Sequence, residues 1–158
     1  MSAAVKPIPE GVHSLTPYLT ICGASAAIDF YASAFGAVEL MRMDAPGGDK
    51  VIHADLLIGD SHIYISEEFP EMGARSPIAM GGTPVAIHLY VEDVDATFAA
   101  AIDAGGTAVM PPMDMPWGDR WGKLTDPYGH SWSVATHIAD PSPAEIQAGM
   151  EAMMAPAA

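Results

Sequence analysis

The chain has 158 residues, half of them apolar and 16% charged, with 20 acids against six bases and a formal net charge of −14. This is a globular composition of one domain's length, and so acidic a surface repels phosphate backbones and anionic lipid, which argues against nucleic acid and membrane as partners. The single Cys22 excludes an intramolecular disulfide or a thiolate cluster, and no apolar run has signal-peptide or transmembrane character, so a cytoplasmic location is expected.

Residues 1–12 form a proline-containing lead-in. Leu15–Cys22 alternates and carries β-formers, which predicts a strand, placed near a sheet edge by Pro17. Ser25–Phe35 predicts a helix, because Ile28, Tyr31 and Phe35 share one face and Gly36 stands at the C-cap. Strands follow over Val38–Met43, Val51–Ile58 and His62–Ser66, separated by the turns Asp44–Asp49 and Gly59-Asp60. Residues 69–84, rich in Pro and Gly and without periodicity, read as a linker. The same order then returns: strand Val85–Val91, helix Val94–Ala104 and strand Ala108–Met110. An irregular loop Pro111–Trp117 comes next, and then two strands flanking the turn Asp126-Pro127-Tyr128-Gly129. Residues 139–158 are a helical tail. Its Ser142-Pro143-Ala144-Glu145 fits a capping box, and Ile146, Met150 and Met153 make a short apolar stripe.

The two halves are one pattern written twice. Without a gap, Leu19 falls on Leu89, Ala26 on Ala96, Gly36 on Gly106, Asp44 on Asp114 and Gly59 on Gly129. The expected fold is α+β: duplicated βαβββ modules forming a cupped mixed sheet with helices outside. One domain spans residues 13–138, as module one (13–68), the linker (69–84) and module two (85–138). Leu19, Ile21, Leu89 and Val91 form the apolar side that meets the helices. Thr16, Tyr18, Thr20, His88 and Tyr90 are then left to point into the cavity. Tyr18, His88 and Tyr90 suit stacking and hydrogen bonding with a flat polar ligand. Met113, Met115, Pro116 and Trp117 are candidates for an adaptable apolar lid, or else for a loop simply anchored in the core. Arg120, one of the six bases, offers a grip on a carboxylate or phosphonate, or else a structural ion pair with an acid. His53 and Asp55 alternate on one strand face, while His13, His62, His130 and His137 sit at strand ends or turns and read as structural or surface residues.

The duplicated βαβββ order, Ile-Asp-Phe-Tyr in the first helix, His-Leu-Tyr-Val-Glu-Asp-Val-Asp opening the second copy and Asp-Pro-Tyr-Gly-His near the end resemble the vicinal oxygen chelate superfamily of glyoxalases, extradiol dioxygenases and antibiotic-resistance proteins. Trp117–Lys123 resembles a subgroup of uncharacterised bacterial glyoxalase-like proteins. The resemblance covers roughly residues 13–138. It implies metal ligands at the first strand of each copy, on a middle strand of the first copy, and four residues past the Gly of Asp-Pro-x-Gly. Here these first-strand and final positions fall on Thr16, Ala86 and Ser133, a weak ligand, a non-ligand and a weak ligand. The expectation is therefore a protein that binds a small organic molecule through Thr16, Tyr18, His53, Asp55, His88, Tyr90, Trp117, Arg120 and Ser133, without the usual metal centre and with no cofactor. The alternative is a lyase or isomerase of the glyoxalase type using a divalent Zn, Ni or Fe ion held by His53, Asp55 and His88. A homodimer is expected under either reading, as the resemblance implies.

Overall fold

A computed structural model of the chain describes residues 5–156. Two compact units meet in sequence between Gly82 and Thr83. The first contains β1 (Tyr18–Ile21), α1 (Ala24–Phe35), β2 (Val38–Asp44), β3 (Val51–Ile58) and β4 (Ser61–Glu67), followed by a 3₁₀ turn over Pro70–Met72 and the short α2 (Pro77–Met80). The second contains β5 (Ala86–Tyr90), α3 (Val94–Asp103), β6 (Thr107–Asp114), β7 (Asp119–Thr125), β8 (Ser131–His137) and α4 (Pro143–Met154). The sheet orders are β1-β4-β3-β2 and β5-β8-β7-β6. In each sheet the first strand runs parallel to the last, and the remaining pairs are antiparallel. The fold is thus α+β, two βαβββ modules with a four-stranded mixed sheet apiece.

Each sheet is apolar on the side its helix covers. In the first module Leu19, Ile21, Ala54, Leu56, Ile58, Ile63 and Ile65 are buried, together with Ile28, Tyr31 and Phe35 of α1. In the second, Leu124, Trp132 and Val134 are buried with Val94, Phe98 and Ala101 of α3. This is the period-2 signature of a half-covered sheet. The helix starts are fixed from the strands. Gly23 has no side chain with which to cap α1, and the Glu67 carboxylate of β4 does so instead, accepting from Gly23 N at 2.8 Å and Ala24 N at 2.9 Å. An anion at a helix N-terminus satisfies otherwise unpaired N–H groups and complements the helix dipole. Replacing it leaves both donors unmet, that of Ala24 in a buried position. Glu67→Ala is therefore expected to cost about 2 kcal/mol, read as a lower urea midpoint with an unchanged slope.

The structure corrects the sequence reading in four places. The first strand begins at Tyr18 and not at Leu15, leaving Thr16 two residues ahead of it. Pro17 has no N–H to pair, and its carbonyl accepts from Tyr64 N at 2.9 Å. The stretch read as a linker holds the 3₁₀ turn and α2. Pro111–Trp117 is for the most part not a loop: β6 runs on to Asp114, with its register shift between Met110 and Met113, where Pro111 and Pro112 lie. β6 is an edge strand, and prolines are tolerated at edges and bulges because no ladder donor is needed there. Fourth, the gapless match between the copies fails in the last hairpins. Strand pairing sets Ser133 beside His88 where Tyr64 stands beside Tyr18, an offset of 69 (133 − 64) and not 70. The turn from β6 to β7 (residues 115–118) is two residues shorter than that from β2 to β3 (residues 45–50), and the longer Asp126–His130 turn recovers one of the two.

Only glycine fits the turn that closes the β6–β7 hairpin. Gly118 has φ 96°, and a Cβ there would lie 2.0 Å from the Ala139 carbonyl oxygen. Its own carbonyl accepts from Ile138 N and Ala139 N, which pins the tail to the hairpin. The tail helix α4 has the expected capping box on Ser142 and Glu145, and its Gly149 lies against Pro116.

Candidate functional site

The face of each sheet opposite its helix carries aromatic and polar side chains. In the first module this face holds Tyr18 of β1, Tyr64 and His62 of β4, and His53 and Asp55 of β3. Cross-strand register fixes that choice of side, since Tyr18 pairs with Tyr64 and Tyr64 with Asp55. Met41 and Met43 of β2 lie opposite Asp55 and His53. Tyr18 Oη is 2.9 Å from His53 Nδ1, and the Tyr18, His53 and Tyr64 rings meet edge-on at 5.0–5.7 Å. Asp55 turns to His62, whose Nδ1 lies 2.8 and 3.0 Å from its two oxygens, so His62 donates and is oriented. Sequence reasoning placed His62 among structural or surface residues. Its spacing from Tyr64 and Ser66 on an alternating strand was the available signal.

In the second module the open face is more elaborately built. His88 and Tyr90 project from β5, with ring centroids 4.6 Å apart. Behind His88 stands Ser133 of β8, only 9% exposed, with its Oγ 2.8 Å from His88 Nδ1. The Trp121 indole N–H of β7 donates to the same hydroxyl. Behind Tyr90 stands Asp119, 4% exposed. Its Oδ2 accepts from Tyr90 Oη and from Trp117 Nε1, both at 3.0 Å, and its Oδ1 accepts from His137 Nδ1 at 3.0 Å. His137 Nε2 donates in turn to Asp140 at 3.0 Å. Burial alone would push the Asp119 carboxyl up, but the bonds from His137, Tyr90 and Trp117 together outweigh it and hold the group below the ordinary carboxylate range. Bonding to Asp119, and then to Asp140, raises His137. Bonding to Asp119 also raises the Tyr90 phenol, which therefore stays protonated.

Asp119 and Trp121 were not among the residues picked out from sequence, although they share their parity along β7. Arg120 has the opposite parity and lies on the helix side. Its guanidinium holds Asp95 of α3 at 2.6 and 2.9 Å and Asp114 at 2.9 Å. Of the two roles weighed for Arg120, the structure gives the ion pair and not the ligand grip. Trp117 stands in the β6–β7 turn and is tied to Asp119. Met113 lies on β6 opposite Trp121, and Met115 is buried, which accords with the core-anchored reading of this stretch.

The residues do not fit the family's metal centre. The Asp55 carboxylate is engaged at both oxygens by His62, and the Ser133 hydroxyl by Trp121 and His88. Among the described residues no three His, Cys, Asp or Glu side chains converge as a metal site requires.

Comparison with known proteins agrees with this fold and these motifs. The family model described as Glyoxalase/Bleomycin resistance protein/Dioxygenase superfamily matches residues 12–134. The chain belongs to that superfamily. An uncharacterised protein of Mycobacterium tuberculosis is 46% identical over 140 residues, covering 87% of this chain and 82% of its own length. The anthracycline biosynthesis protein DnrV of Streptomyces peucetius is 33% identical over 112 residues, which is 71% of this chain and 37% of DnrV. Among solved structures, TioX from Micromonospora sp. ML1 superposes with a TM-score of 0.62 at 27% identity, over 82% of this chain and all of that one. The superfamily member described here is thus similar to proteins of quite different description, and one fold serving several chemistries leaves function to be argued from the site. Among the described residues no helix is long and apolar enough to cross a membrane.

Proposed function

We propose that this superfamily member binds a small, planar organic molecule on the open sheet face of its second module, through His88, Tyr90 and Trp117, without a catalytic metal, while Tyr18 and His53 offer similar groups on the open face of the first module. The observation that carries this reading is the way His88 and Tyr90 are held. Both rings are exposed, Tyr90 by 60%, yet each is fixed from behind by a buried polar group that is itself bonded to a tryptophan. An idle surface gains nothing from ordering exposed aromatic side chains, whereas a recognition surface gains affinity from preorganisation. The family description includes bleomycin resistance, and one relative is named for anthracycline biosynthesis, which accords with a small organic ligand.

A homodimer is part of the proposal. The edge strands β2 and β6 expose Val38, Leu40, Met41, Met43, Val109, Met110 and Met113, apolar surface of the kind a second copy covers. Native mass spectrometry and elemental analysis of protein purified without a metal-chelating tag test the whole reading. The expected result is a species of twice the chain mass that retains an organic compound and contains no stoichiometric Zn, Ni or Fe. Stoichiometric metal that is lost on His53→Ala or His88→Ala would instead establish the lyase or isomerase reading.

A further inference from the structure

The Ser133 hydroxyl lies between a group that can only donate and a ring nitrogen that can do either. Indole Nε1 has a proton and no acceptor lone pair, so Trp121 must donate to Ser133 Oγ. The hydroxyl has one proton of its own to place. Among the described residues its other partner is His88 Nδ1, at 2.8 Å. If Nδ1 carried a proton, both neighbours would donate and the proton of a nearly buried hydroxyl would be unmatched, a costly arrangement. If Nδ1 is bare, each group is satisfied: Trp121 donates to Ser133, and Ser133 donates to His88. Neutral His88 then carries its proton on Nε2.

Tyr90 is set the opposite way. Asp119 can only accept, so the phenol proton points inward to Oδ2 and the phenol oxygen lone pairs are left facing out. We infer that Trp121 and Ser133 act as positioning residues that hold His88 in its Nε2–H tautomer. The second module thereby presents a hydrogen-bond donor from His88 beside an acceptor from Tyr90. The matching ligand edge carries an acceptor beside a donor, as in a planar lactam or a hydroxy-carbonyl ring. This ligand class rests on the binding-face reading above, whereas the tautomer does not. The same tautomer has a second consequence. A histidine that ligates a metal through Nε2 donates from Nδ1 to an acceptor behind it, and here the group behind donates to Nδ1.

Nitrogen NMR of full-length protein with labelled histidine, at about pH 8.5 where imidazole is neutral, reads the tautomer directly. The His88 signals are assigned by their loss in His88→Gln. The expected spectrum has a protonated Nε2 and a bare Nδ1, moving toward an average of the two tautomers in Ser133→Ala. Trp121→Phe, which keeps the ring and removes only the N–H, should move it the same way if Ser133→Ala does not fold. A protonated Nδ1 in the wild type, or spectra unmoved by both variants, would overturn the inference. Titration with 2-quinolone, a planar lactam, and its N-methyl derivative tests the ligand edge. The lactam is expected to bind about fivefold more tightly, the worth of one hydrogen bond. Equal affinity would overturn the donor–acceptor match. An intact Nε2–H tautomer with neither compound bound would count against the binding-face reading and leave the tautomer standing.

Discussion

Trp132→Ala is expected to remove about 4 kcal/mol of stability, a large fraction of what a domain of this size holds in reserve. Trp132 is 1% exposed in the core under β8, and its indole N–H donates to Asp126 Oδ2 at 2.9 Å. Asp126 is the hub of the turn that follows β7. Its other carboxylate oxygen accepts from Tyr128 N and His130 N, both at 2.9 Å, and its backbone closes the turn with His130 and Gly129. Truncating Trp132 therefore opens a cavity and also strips one donor from a buried carboxylate. Trp132→Phe separates the two effects. It fills most of the volume but cannot donate, and the expected cost is about 2 kcal/mol. Urea unfolding followed by far-ultraviolet circular dichroism measures both. A loss for Trp132→Phe equal to that for Trp132→Ala would mean that the bond to Asp126, and not the packing, anchors the turn.

That turn was legible in the sequence because its chemistry is local: Asp, Pro and Gly at fixed spacing encode backbone geometry with no help from the rest of the chain. The βαβββ order, the Gly36 C-cap and the Ser142 capping box were legible for the same reason. The features that went unread depend on which strand lies beside which. Pro111 and Pro112 suggested a loop because nothing in the sequence says that β6 is an edge strand with its register shift at those residues. Arg120 stayed open between a ligand grip and an ion pair because charge is conspicuous and parity is not. Once Leu124 is known to be buried, alternation along β7 puts Arg120 on the helix side and Asp119, Trp121 and Lys123 on the other. The side taken by His53 on β3 hangs on the register of the Gly59-Asp60 hairpin, whereas alternation on β1 and β5 points Tyr18, His88 and Tyr90 to the open face. Their partners Ser133 and Asp119 come from β8 and β7, far away in sequence, and only register brings them behind those rings.

Asp119→Asn is the change expected to affect function most. The carboxylate accepts three bonds, from Tyr90, Trp117 and His137. An amide offers one acceptor oxygen, and while His137 is protonated its NH₂ meets a donor in either orientation, so at least one bond becomes a donor–donor clash. A loss of about 2–3 kcal/mol is expected, together with release of the Tyr90 and Trp117 rings. Ligand affinity on this face should then fall by about tenfold or more, seen as weaker quenching of tryptophan fluorescence. The pH dependence carries a sign. His137 is raised in the folded protein, so its contribution is complete below the ordinary imidazole value and fades as pH rises through the higher folded one. Asp119 is lowered, so its contribution is complete above the ordinary carboxylate value and fades as pH falls through the lower folded one. The stability gap between wild type and Asp119→Asn should therefore be widest between about pH 4 and about pH 6.5, narrowing on either side. The His137 titration midpoint, followed by NMR, should drop toward the ordinary imidazole value in the variant but stay above it, because Asp140 remains. A gap that does not vary with pH would show that the Asp119–His137 contact contributes no electrostatic stability, and would leave Asp119 with only the task of orienting Tyr90 and Trp117.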